Sequence, residues 1–263
     1  MTALPRSQRV RNAAFGFALV LVAGVSTSSS AAEIKVLVAG AYKGVLVALQ
    51  PAFEQKTGHK LVVDNGTAGQ LAKRVNDGEA FDVVVVPTGG MKELVAAGKV
   101  AADSVADVAR VGIGVAVKAG SPAPNIGSVD AFKQALLAAR NVAYIDPAAG
   151  GSSGIYLDKL FERMGIAAQV RAKAVLVPGG YVAERVVSGQ ADLGIHQISE
   201  ILAVPGATLV GPLPAEIQNF TVYAVGIASK SGQAEIARSL VGMLRDDAAT
   251  AVLAQRGMEP AGK

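Results

Sequence analysis

The sequence predicts an α/β protein of two lobes, each a mostly parallel sheet flanked by helices, and three observations carry that reading. Short runs rich in Val and Ile, apolar at nearly every position, are the pattern of parallel strands buried on both faces. Stretches with apolar residues three and four apart separate them, as repeated strand–helix units require. Several strands end in a short Gly, Ser or Thr turn that opens the next helix, which is where open α/β sheets take ligands. The chain has 263 residues, 51% apolar and 17% charged, enough for one large domain or two lobes of roughly 100 residues.

The first 32 residues read as an address label. Arg6, Arg9 and Arg11 make a basic start, residues 15–25 (FGFALVLVAGV) an apolar core, and Ser30 and Ala32 small residues at the −3 and −1 positions of a cleavage site. An apolar core of 11 residues is short for a membrane span, so residues 1–32 are expected to be a secretory signal peptide and the mature chain periplasmic. Removing three arginines lowers the formal charge from +4 to +1. The basic pI of about 9.3 is therefore largely the leader's, and a nucleic-acid partner is not expected.

Nine strands are expected in the mature chain, at residues 34–38, 61–64, 82–87, 111–117, 142–145, 174–177, 193–195, 209–211 and 222–227. Leu46, Leu49 and Phe53 mark the first helix, which Pro51 should kink. Leu71 and Val75, then Leu94 and Val95, mark two more. Ser128 or Asp130 caps the helix of Phe132, Leu136 and Leu137. Ala237, Leu240, Val241 and Leu244 form the penultimate helix, and the last follows Asp246 and Asp247 and stops at Gly257. Nine strands fit one sheet or two. Two lobes are preferred, with crossings near residues 111–117 and near Val222, giving lobe I as 33–112 and 222–263 and lobe II as 113–221.

The absence of cysteine excludes disulfides, thiolate metal sites and cysteine nucleophiles. His59 and His196 are too few for a three-histidine metal centre, and no metal or cofactor is expected. Nucleotide-binding glycine motifs and the zinc-protease motif do not occur. Gly150-Gly151-Ser152-Ser153-Gly154 fits G-x-S-x-G, but four residues separate it from its strand and only His196 follows, so a serine hydrolase is not expected.

Four turns remain, at residues 39–44, 65–70, 147–154 and 178–181. Helix N-termini present unpaired N–H groups and the positive dipole end, so such turns facing one another would make an anion cleft. The candidate ligand-binding residues are Ala41, Tyr42, Thr67, Ala68, Gly69, Ser152, Ser153, Gly154, Tyr181, His196 and Gln197. Lys43 and Arg185 read as solvated surface cations.

The chain resembles the periplasmic solute-binding proteins of ABC importers, in the molybdate-binding-like branch. The signs are residues 52–58 (AFEQKTG), 71–74 (LAKR), 82–87 (DVVVVP), Asp146-Pro147, Gly154-Ile155-Tyr156, 188–195 (SGQADLGI) and Gly257-Met258-Glu259-Pro260. The resemblance implies a two-lobed type II binding-protein fold, a monomer that closes on a small anion and delivers it to a membrane permease. Molybdate binders of this family use serine hydroxyls where Ala41 and Ala68 stand here. Thr67 is the nearest hydroxyl in that second turn, Ser153 replaces a small apolar residue, and Gln197 a tyrosine. Each missing donor to a desolvated dianion costs roughly 1–3 kcal/mol, which turns the expectation from molybdate toward a carboxylate.

A second resemblance, to aconitate isomerase, an enzyme on the same scaffold, rests on Val142-Ala143-Tyr144, residues 153–157 (SGIYL), Leu193-Gly194, Gln197, Ser199 and Glu200. Residues 130–134 (DAFKQ) and Val204-Pro205-Gly206 also fit. It implies an alternative in which a proton moves beside a carboxylate, with His196 or Tyr181 as the base.

Overall fold

The computed structural model describes residues 1–3 and 31–262; the basic start and apolar core of the expected leader lie outside the described residues. In chain order the elements are β1 (Glu33–Ala39), α1 (Gly40–Thr57), β2 (Lys60–Gly66), α2 (Ala68–Asn76), β3 (Val83–Pro87), α3 (Thr88–Ala96), β4 (Ala106–Val111) and β5 (Ile113–Lys118). Then follow α4 (Val129–Ala138), β6 (Val142–Ile145), α5 (Ser152–Arg163), α6 (Ala167–Arg171), β7 (Ala174–Val177), α7 (Ala183–Val187), β8 (Leu193–Gln197) and α8 (Ile198–Leu202). β9 (Ala207–Pro212), β10 (Thr221–Ile227), α9 (Ala234–Met243) and α10 (Asp247–Gln255) complete the chain.

The strands form two five-stranded sheets with one plan, ordered β2-β1-β3-β10-β4 and β7-β6-β8-β5-β9. In each, three parallel strands are followed by an antiparallel strand and then an antiparallel edge. The chain passes between sheets twice, at Gly112 between β4 and β5 and through residues 213–220 between β9 and β10. Gln218 ties the two passages together: its amide accepts from the Ile113 N–H and donates to the Ile113 carbonyl, each at 2.9 Å. Each sheet has its own apolar core, one around Val36, Leu37, Phe53 and Val84, the other around Val115, Phe132, Tyr144 and Phe161.

The expected stretch at 111–117 is two strands, since β4 ends at Val111 and β5 starts at Ile113. β4 escaped the sequence reading because it is an edge strand with exposed Asp107 and Arg110, and its apolar alternation is broken. α1 runs unbroken through Pro51. Proline removes the bond to the carbonyl four residues back, and both Pro51 and Val47 lie on the exposed face of the helix, away from the core. Of the two candidate caps for α4, Ser128 acts, accepting the Ala131 N–H at 3.1 Å. Asp246 caps α10 through the Ala249 N–H. Among the described residues, no helix is long and apolar enough to cross a membrane.

Candidate functional site

The carboxyl ends of both parallel trios face one cleft of about 100 Å³, several times the space a single water needs. The first sheet contributes Ala39, Gly40, Ala41, Lys43, Asn65, Gly66, Thr67, Ala68 and Pro87; the second contributes Ile145, Gly151, Ser152, Ser153, Gly180, Tyr181, His196, Gln197 and Glu200; Tyr223 comes from β10. The turns of Ala41, Thr67, Ser153 and Tyr181 thus come together.

The helices opening onto the cleft differ in how their first N–H groups are used. α1 and α5 start without a side-chain cap, so their leading amides and positive dipole ends are open to a ligand. α2 is closed by its own capping box: the Thr67 hydroxyl accepts the Gln70 N–H, and the Gln70 side chain accepts the Thr67 N–H. Its Gly69 N–H is also taken, by Gly150 O at 3.1 Å.

That last bond belongs to a contact joining the rims of the two sheets. The Thr67 hydroxyl donates to Ala149 O, and Gln70 Nε2 donates to Pro178 O at 3.0 Å. Backbones approach so closely that a Cβ on Gly69 would lie 2.8 Å from the Gly150 Cα. Glycine is required there for space alone.

Deep in the cleft lies a buried acid and a buried base. His196 Nε2 is 3.2 Å from Glu200 Oε2, and the side chains are 3% and 10% exposed. Burial pushes the Glu200 carboxyl up to about 8 and His196 down to about 3, because a dry site penalises either charge. Near neutral pH the pair therefore carries one proton between two uncharged groups. The other Glu200 oxygen lies against α1, where a Cβ on Gly40 would meet it at 2.4 Å. Among the described residues, His196 Nδ1 and Gln197 Oε1 are buried without a partner, and both residues line the cleft.

Gln197 Nε2 donates to Ser152 Oγ at 3.1 Å and to Thr221 Oγ1 at 3.0 Å. Tyr223 joins this network through a side-chain hydrogen bond with Ser152, while burial and the nearby Glu200 push its phenol well above the ordinary value. Ser152, the G-x-S-x-G serine, therefore pairs with Gln197 and not with histidine. Tyr181 is half-buried, and burial followed by Glu200 and Glu184 raises its phenol.

Three candidate residues do not line the cleft. Tyr42 sits fully buried in the first core, its hydroxyl unpartnered; its place next to Ala41 misled because a helix turns successive side chains about 100° apart. Gly69 meets Gly150 at the rim. Gly154 packs against β6, where a Cβ would stand 2.2 Å from Ile145 O. Conversely, Lys43 is a cleft residue rather than a bystander on the surface. Arg185 bonds Gln190 and lies outside the cleft. His59 accepts the Ala32 N–H, and among the described residues no cluster of three His, Asp or Glu is arranged to hold a metal.

Two sheets of one plan, each closing its parallel trio on a shared polar cleft, define a two-lobed α/β solute-binding protein. The chain belongs to the bacterial extracellular solute-binding proteins, whose sequence profile matches residues 34–259. It is 35% identical over 258 residues to an aconitate isomerase from a Pseudomonas species, covering 96% of this chain and 97% of that one. Its fold is that of the periplasmic molybdate-binding protein of Azotobacter vinelandii, with a TM-score of 0.75 and 20% identity over 87% of this chain and all of that one. The sulfate-binding protein SubI of Mycobacterium tuberculosis superposes with a TM-score of 0.71 and 21% identity, over 88% of this chain and 87% of that one.

Proposed function

We propose that this protein isomerises a small unsaturated carboxylate of the aconitate type by moving one proton within its cleft. The observation that carries the reading is Glu200. A receptor for an anion uses a buried carboxyl group only as a neutral donor, since the ionised form repels the ligand. A proton-transfer site needs one, with its pKa near the working pH. Full-length similarity to an aconitate isomerase supports the same reading.

The chemistry uses the single proton of the Glu200–His196 pair. The pair is uncharged at rest, so the shared proton first passes from Glu200 to His196, and the Glu200 carboxylate then removes a proton from the methylene carbon beside a ligand carboxylate. The C–H electrons enter the neighbouring double bond, and the charge spreads onto a carboxylate held at the open starts of α1 and α5. Glu200 returns the proton to the far carbon of the three-carbon unit, so the double bond moves and nothing is oxidised or reduced. Tyr181 and Tyr223, with raised phenols, remain neutral donors rather than bases. The expected leader places this reaction in the periplasm, and the passages at Gly112 and 213–220 serve as the hinge between lobes 33–112 with 222–263 and 113–221.

The test is to incubate the purified protein with trans-aconitate and resolve the isomers by chromatography. Turnover proportional to protein, lost in Glu200→Gln and His196→Gln but retained in Tyr181→Phe, supports the proposal. Binding without turnover returns the protein to the other reading, capture of the anion for an importer's permease.

A further inference from the structure

Among the described residues that line the cleft, one carries a carboxyl group, Glu200, and one is a lysine or arginine, Lys43. Lys43 lies on the first turn of α1, half-buried. Among the described residues its ammonium forms no ion pair. Lys35 pairs with Glu79, Lys60 with Glu54 and Lys73 with Asp77, whereas Lys56, Lys92 and Lys99 also lack an ion pair among the described residues; what sets Lys43 apart is its place in the cleft lining. A lysine in the cleft lining whose ammonium has no carboxylate partner among the described residues leaves that charge available to a ligand.

The charge balance agrees. The open starts of α1 and α5 each present roughly half a positive charge, and the ammonium adds one, so the cleft offers about two positive charges to an occupant. Glu200 and His196 are uncharged near neutrality and subtract nothing. The positive field is also split in space, part at the backbone amides and part at a side chain. One compact monoanion uses only the first part. The unpartnered Gln197 Oε1 and His196 Nδ1 show that the deep end is fitted for a polar group as well. Arg256, at the end of α10, packs against α1 beside Lys43, where a Cβ on Gly44 would lie 3.7 Å from its Cδ, and it too has no ion pair among the described residues.

We infer that Lys43 is the specificity-determining residue of the cleft, binding a second carboxylate of the ligand and selecting di- and tricarboxylates over monocarboxylates. This rests on the carboxylate reading above but not on turnover. An ammonium–carboxylate hydrogen bond out of bulk water is among the stronger polar contacts, and Lys43→Arg keeps its charge while Lys43→Gln removes it.

Calorimetry on the full protein with tricarballylate, glutarate and butyrate tests it, because these saturated acids cannot be isomerised. Wild-type protein is expected to prefer tricarballylate and glutarate over butyrate. Lys43→Gln should weaken tricarballylate by about 10-fold or more and butyrate by less than about 2-fold, with Lys43→Arg restoring most of the loss. Arg256→Gln, with a melting curve to confirm folding, should cost less than about 3-fold. Equal losses from Lys43→Gln and Arg256→Gln would show a diffuse field and overturn the inference. So would unchanged tricarballylate affinity in Lys43→Gln, or a wild-type protein that ignores polycarboxylates and binds molybdate or sulfate. Lys43-dependent tricarballylate binding with no turnover of trans-aconitate would uphold this inference and overturn the isomerase.

Discussion

From the first sheet the cleft receives Ala39, Gly40, Ala41, Gly66, Thr67 and Ala68, whose side chains end at a hydrogen, a methyl or a hydroxyl; from the second it receives Ser152, Ser153, Tyr181, His196, Gln197 and Glu200. The strand plans are the same, so the contrast lies in the residues placed on equivalent positions. α1 and α5 both follow the central strand of a parallel trio, and both start uncapped. β3 and β8 both run straight into a helix, but three residues on stands Gly90 in one and Glu200 in the other. One wall holds charge with amides that cannot titrate; the other carries the groups that can. The exceptions on the first side are Lys43, Asn65 and, from β10, Tyr223, which line the same space.

The sharpest way to break this division is at the acid. Glu200→Gln keeps size and polarity but cannot accept the proton, and should lower kcat by about 10²–10⁴-fold while calorimetric affinity for tricarballylate changes little. An equally large loss from a substitution on the amide wall that spares Glu200 would dissolve the contrast. Next in size is an attempt to give the amide wall side-chain chemistry. Ala41→Ser with Ala68→Ser should raise molybdate affinity by about 10-fold or more, since a hydrogen bond to a charged group contributes roughly 1.5–3 kcal/mol. No gain in calorimetry would mean that the backbone already saturates the anion.

Smaller again is Gly69→Ala. Its Cβ would meet the Gly150 Cα at 2.8 Å, and such overpacking costs about 1–3 kcal/mol. Because the strain falls on the rim contact, ligand affinity should drop several-fold while the melting temperature of the unliganded protein moves by only a few degrees.

The smallest effect is a cancellation. His196, held near 3 against 6.5, makes stability rise with pH across that interval because the unfolded chain binds more protons; Glu200, held near 8 against 4.5, makes it fall from 4.5 to 8 because the folded chain does. Melting temperature should therefore climb below pH 4.5, where Glu54 and Glu79, held near 2 by their hydrogen bonds, add to the climb. It should be nearly flat between 4.5 and 6.5 and decline from 6.5 to 8, the decline disappearing in Glu200→Gln.

Legibility followed locality. β6 lies at the residues its apolar run indicated and is buried at all four, because burial on both faces is written in consecutive positions. The cleft turns were legible for a related reason, since small residues after a strand announce a helix start. Glu200 was visible as part of a resemblance but not as a site residue. Its character comes from burial against Gly40, 160 positions earlier, and no local pattern encodes that. Tyr223 was hidden similarly, as one apolar-looking position in the run of β10 that turns its hydroxyl to Ser152. Tyr42 failed in the opposite sense, because adjacency in sequence is not adjacency in space on a helix.

The rim contact has a consequence for the tempo of the molecule. Thr67 with Ala149, Gly69 with Gly150 and Gln70 with Pro178 are bonds from protein to protein, so they favour the shut form whatever the cleft contains. At roughly 1 kcal/mol each, three such bonds leave an open population of about one molecule in 150. Any exchange that requires the rims to part must use that minority. The latch therefore acts as an escapement: it sets a ceiling on how often the cleft can exchange its contents, and turnover can be no faster than the opening it permits.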